Sequence, residues 1–130
     1  MPQIKVYLNR LAANMIIDET FDDLSRSLIA TVEAIFGIEG KEDVAFDVFD
    51  VRYTANEAPV QIEVLYTAGE DEYGTGKPFN PGEDEKAAAL VEIRHSFVEF
   101  LSRNRIDTLV PSIWIRPQYE SKFEPGELST

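Results

Sequence analysis

Apolar positions alternate with polar ones near both ends of this chain and recur every three to four residues in two stretches between them. Ile4, Val6 and Leu8 fall on one side of residues 3–8, with Lys5 and Tyr7 on the other, which predicts a strand. Residues 9–19 follow neither period and read as a loop, with Met15, Ile16 and Ile17 tucked against the body. Phe21, Leu24, Leu28, Val32 and Ile35 then recur at helical spacing. Thr20 and Asp23 give a capping-box signal for the start of that helix, and Gly37 and Gly40 end it. Residues 44–53 are rich in β-formers and apolar on both sides: Val44, Phe46 and Val48 on one, Ala45, Phe49, Val51 and Tyr53 on the other. After a turn at Asn56–Pro59, Val60, Ile62, Val64 and Tyr66 predict a strand over 60–67. Residues 68–83 contain four of the seven glycines and read as a long loop. Glu83, Asp84 and Glu85 suit the positive end of a helix dipole, and Leu90, Ile93, Phe97, Phe100 and Leu101 form the stripe of a helix running to about Arg103. A last strand over 112–116 is closed by Pro117, and residues 118–130 form a polar tail.

The order is β-α-β followed by β-α-β, an α+β pattern. Gln3-Ile4-Lys5-Val6 and Gln61-Ile62-Glu63-Val64 open the two halves alike. Right-handed crossovers then set both helices, antiparallel, on one face of a four-stranded mixed sheet. We therefore expect one βαββαβ domain over 1–117 with a tail over 118–130; a ferredoxin-like strand arrangement is the alternative. A sheet covered on one face alone should alternate apolar with polar, and residues 44–53 do not. Self-association accounts for this, and so does folding of the 68–83 loop or the tail over the bare face.

Composition narrows the chemistry. With no cysteine and a single histidine among 130 residues, disulfides, a thiol nucleophile and a Cys- or multi-His metal site are excluded. A formal charge of -12 disfavours nucleic acid. No apolar run approaches the roughly 20 residues that span a bilayer, and Met1–Val6 lacks the features of a secretory leader, so a cytoplasmic protein without membrane contact is expected. Gly74-Thr75-Gly76-Lys77-Pro78 fails as a phosphate loop, because Asp71 and Pro78 stand where glycine and Ser or Thr are needed. No cofactor is expected. His95 lies between Glu92 and Glu99 at surface-pair spacing. Asp22-Asp23 and Asp84-Glu85 read as helix starts.

One stretch carries a resemblance. Proline directly after the initiator methionine, then the strand pattern Pro-x-Ile-x-Val (Pro2-Gln3-Ile4-Lys5-Val6), then an acidic-capped helix and a strand, resembles the tautomerase superfamily. That group includes macrophage migration inhibitory factor and 5-carboxymethyl-2-hydroxymuconate isomerase. The resemblance covers residues 2–116 in topology and only Pro2–Val6 in motif. It implies two βαβ units in one chain, a homotrimer, and enol–keto proton transfer on a small keto or enol acid with the N-terminal proline as general base. Physically, removal of Met1 would expose a secondary amine. Such an amine titrates at about 8 in the open, and apolar surroundings or nearby cations lower that value. The family also uses cations and aromatics near the proline, which points to Trp114 and Arg116, two apart and so on one face of the last strand, and to Lys41 and Arg52. Solvated surface charge is the competing reading of Lys41, Arg52 and Arg116, and an ordinary residue before a strand is that of Pro2. The sequence departs from the family at Thr67–Tyr73: Glu70, Asp71 and Glu72 stand where some of these isomerases have an arginine, against diacid substrates.

Overall fold

The computed structural model describes residues 2–37, 44–50, 58–66 and 81–117. Lys41, Arg52, Val51, Tyr53, most of the 68–83 stretch and the 118–130 tail lie outside the described residues. The elements run β1 (Gln3–Leu8), α1 (Arg10–Met15), a 3-10 turn (Asp18–Thr20), α2 (Phe21–Phe36), β2 (Ala45–Asp50), β3 (Val60–Tyr66), α3 (Glu83–Arg103) and β4 (Pro111–Pro117).

The four strands form one mixed sheet in the order β2-β1-β3-β4. β1 runs parallel to β2 and antiparallel to β3, while β3 runs parallel to β4. Each helix-linked pair of strands is therefore a pair of hydrogen-bonded neighbours. A ferredoxin-like sheet splits its βαβ units by an intervening strand, so that alternative is set aside. Alternation decides the rest. Ile4, Val6 and Leu8 of β1 and Val60, Ile62, Val64 and Tyr66 of β3 are buried on one face, against Leu24, Leu28, Val32 and Phe36 of α2 and Ile93, Phe97, Phe100 and Leu101 of α3.

The two long helices pack against each other antiparallel, as the crossover argument predicts. Asp23, at the start of α2, accepts from Arg103 Nη2 (2.9 Å) and Asn104 Nδ2 (2.8 Å) at the end of α3. One turn further along α2, the Ser27 carbonyl accepts from Ser96 Oγ at 3.1 Å. Asp23 is thus engaged across the interface rather than in a capping box. The Thr20 hydroxyl caps nothing in α2 and instead donates to the Ile17 carbonyl at 2.8 Å. Gly37 ends α2 in the left-handed region at φ 70°, where its N–H meets the Glu33 carbonyl.

The predicted loop at 9–19 is mostly helical instead. Asn9 caps α1 by accepting from the Ala12 N–H at 2.9 Å. Ile16 is buried and Met15 packs on the core as expected, but Ile17 is half exposed. Among the described residues no helix is long and apolar enough to cross a membrane.

Candidate active site

Pro2 is buried at the head of β1, a central strand, and its carbonyl accepts from the Ala45 N–H at 3.1 Å. It shares the parity of Ile4, Val6 and Leu8, the residues of the helix-covered face. At this end of the sheet Tyr66, one residue past the partner of Gln3, meets the Phe36 ring with centroids 5.9 Å apart. Beside it lies a cleft of about 280 Å³ between the end of α2, the start of α3 and β4, walled by Ile35, Phe36, Pro81, Ala89 and Ile115. Lys86, Glu85 and Glu92 also line it, and Lys86 is the cation among its described lining residues. The lysine reaches Glu83 at 3.9 Å. Sequence reasoning passed over it, because a lysine three residues after a glutamate on a helix reads as a surface pair.

Trp114 and Arg116 stand on the opposite face, on β4. The predicted shared side is observed: the Arg116 guanidinium carbon lies 5.1 Å from the Trp114 ring centroid, a cation–π contact. Arg116 Nε also approaches Glu63 Oε2 at 3.5 Å. Glu63 pairs directly with Trp114 in the β3–β4 register and with Lys5 in the β1–β3 register. A row across this face therefore reads Asp47, Lys5, Glu63, Trp114. The next reads Ala45, Gln3, Leu65, Arg116. Arg116 lies two strands from the start of β1, a lateral distance of about 10 Å at ordinary strand spacing.

Tyr7 joins this cluster on what is, among the described residues, the open face of the sheet. Its ring stacks on Phe49 with centroids 5.1 Å apart and planes 19° from parallel. Burial raises its phenol above the ordinary value, the Glu63 charge raises it further, and Arg116 opposes both. The open face is thus mixed in character, with Asp47, Lys5 and Glu63 between two aromatic groups. The apolar second side read in β2 comes down, among the described residues, to Ala45 and the 40% exposed Phe49.

The structure thus brings Trp114 and Arg116 together, adds Glu63 and Tyr7 to them, and sets Pro2 apart from them at the head of β1, in step with the residues of the helix-covered face. The fold has solved counterparts. The crystal structure of a 5-carboxymethyl-2-hydroxymuconate isomerase from Deinococcus radiodurans R1 is similar with a TM-score of 0.59 over 95% of this chain and 87% of that one, at 11% identity. The chain has a tautomerase-like fold. The crystal structure of native Ps01740 is similar at a TM-score of 0.53 and 12% identity, over 89% of this chain and 91% of that chain. No protein-family model and no curated protein matches the sequence. The resemblance read from Pro2–Val6 and the element order holds at the level of the tautomerase-like fold.

Proposed function

We propose that the protein is a tautomerase-like enzyme that moves a proton between carbon and oxygen of a small keto or enol acid, with Pro2 as general base once Met1 is removed. The observation that carries this reading is a proline at position 2, buried at the head of a central strand, in a tautomerase-like fold. Apolar surroundings disfavour an ammonium, so the exposed amine would titrate below its open value of about 8 and act as a base near neutral pH. In this reading the working form is a cytoplasmic homotrimer, in which Arg116 and Trp114, on the sheet face opposite to that of Pro2, meet a Pro2 around the sheet end or across subunits: Arg116 receives the substrate carboxylate with its planar fork, Trp114 forms an apolar wall, and Lys41 and Arg52 assist.

The test begins with the intact mass of the chain from its native host. Loss of Met1 together with enol–keto exchange of phenylpyruvate or a related keto acid is expected. Pro2→Ala should lower that exchange at least about 100-fold, the usual scale of general-base catalysis. A retained methionine would leave the proline nitrogen as an amide without basicity and sink the proposal. One observation favours a second reading, a non-catalytic trimer of the same fold that serves assembly or partner binding. The open sheet face carries half-buried Tyr7, Leu65 and Trp114 beside Phe49, which suits burial against another copy. No exchange across several keto acids, with the trimer intact, would favour it.

A further inference from the structure

Arg116 is the cation that the proposed function assigns to the substrate, and the structure gives it a competitor. Glu63 Oε2 lies 3.5 Å from Arg116 Nε, and the Glu63 side chain is only 19% exposed against 49% for the arginine. The two strands set this pair: Glu63 and Trp114 are direct register partners, and Leu65 and Arg116 are the next pair on the same face. The guanidinium therefore leans back over the indole toward the carboxylate, so that ring and carboxylate both constrain it. Tyr7 feels both charges, so the phenol, the carboxylate and the guanidinium lie within one electrostatic neighbourhood. A local charge balance follows. Arg116 supplies one positive charge and Glu63 opposes it at 3.5 Å, with Lys5 across the strand from Glu63 and Asp47 across from Lys5.

We propose that Glu63 is a specificity-determining residue: it holds Arg116 over Trp114 and restricts this face to acids with a single carboxylate. One carboxylate can take the donors of Arg116 that Glu63 leaves free. A second carboxylate would meet the Glu63 charge, and Lys5, the next cation along this row, already stands between the Asp47 and Glu63 carboxylates; like charges at close range in a half-buried site repel. This inference rests on the reading of Arg116 as the anion-binding group. It goes further by naming the residue that sets the substrate charge.

Trp114 is the only tryptophan of the chain, so its fluorescence reports on the site directly. The experiment titrates the full chain with pyruvate, a monocarboxylate, and with 2-oxoglutarate, a dicarboxylate, in the wild type and in Glu63→Gln, Glu63→Asp and Arg116→Gln. The wild type is expected to bind pyruvate more tightly. Glu63→Gln removes the charge at constant shape and should tighten 2-oxoglutarate about fivefold or more relative to pyruvate, a change on the scale of close charge couplings. Glu63→Asp keeps the charge and should keep the preference, and Arg116→Gln should abolish both titrations. Far-UV circular dichroism checks that each variant is folded. An unchanged preference in folded Glu63→Gln overturns the role of Glu63, as does a wild type that prefers the dicarboxylate. Binding that survives Arg116→Gln, or a wild type that binds neither acid, overturns the Arg116 site and the inference together. These readouts are independent of proton transfer. Failure of Pro2 as base appears instead as lost or absent exchange with the carboxylate preference intact.

Discussion

Asp23 accepts hydrogen bonds from Arg103 and Asn104 on the facing helix, and these hold its carboxyl below the usual carboxylate range, with burial opposing weakly. The folded state then binds the Asp23 proton less tightly than the unfolded chain does. The resulting stability is fully present above the unfolded value of about 3.9 and is lost as the pH falls through the depressed folded value. Asp23→Asn keeps the shape but gives up the charge-assisted bonds. The pair is 46% and 35% exposed, so solvent screens it, and a loss of only about 1 kcal/mol is expected at pH 7. Differential scanning calorimetry should show a melting temperature lower by about 3 to 5 °C at pH 7, with the difference from wild type shrinking below pH 4. An undiminished difference at pH 3 would contradict the ionic account. Individual residues were legible in the sequence where the signal is local. Trp114 and Arg116 share a face because strand side chains alternate, and that needed no partner strand. Glu63 was missed because its role depends on the register between β3 and β4, which no local pattern sets. Lys86 was missed because its neighbours in the cleft come from α2 and β4.

At the scale of elements, periodicity found β1, β3 and both long helices, because each buries one continuous stripe, whereas β2 and β4, with no fully buried residue, were legible from their β-forming composition. It failed at α1, whose six residues are too short to display a 3.6-residue period. The local sign was present in Asn9, three residues before the Ala12 N–H that it accepts from. The Thr20–Asp23 signal placed the start of α2 correctly, with Thr20 as its N-cap, but not the bonds of a capping box. A capping box is a local contest, and Arg103 and Asn104 of α3 engage Asp23 from outside it. The end of α2 was read correctly, since a glycine after an apolar stripe marks a left-handed cap. A Cβ at Gly37 would meet nothing within 4 Å, so any penalty there comes from the backbone alone. Gly37→Ala should therefore destabilise the fold by about 1 to 2 kcal/mol, and Gly37→Asn by less, because asparagine tolerates this region. Urea denaturation measures both; equal losses would point to a packing role for the position instead.

For the whole molecule, the pseudo-repeat proved to be architecture. Each Gln-Ile-x-Val copy begins the inner strand of its own βαβ unit, and β1 and β3 join the two units along one antiparallel seam. The sequence argument for association weighed the second side of residues 44–53, but the observed open face spreads its aromatic groups over three strands and charges between them. Such a surface favours a defined, charge-matched contact over indiscriminate sticking. Multi-angle light scattering at micromolar concentration is expected to give a mass of three chains of 14.7 kDa. Because charged residues sit within that face, high salt should weaken the assembly more than a purely apolar interface would allow. A monomer at all concentrations would remove the proposed trimer.

The seam also fixes an order of events during synthesis. β1 is made before the three other described strands, yet it lies inside the sheet, between two of them. Its edge toward β2 stays open until residue 50 has been made, and its edge toward β3 until residue 66. At ordinary elongation rates the second edge waits roughly 3 to 12 seconds. Throughout that interval Ile4, Val6 and Leu8 form a bare apolar stripe with unpaired backbone on at least one side, the kind of edge that recruits other chains. A nascent sheet built this way is most vulnerable at the strand made earliest among those described, and that vulnerability ends when β3 is supplied.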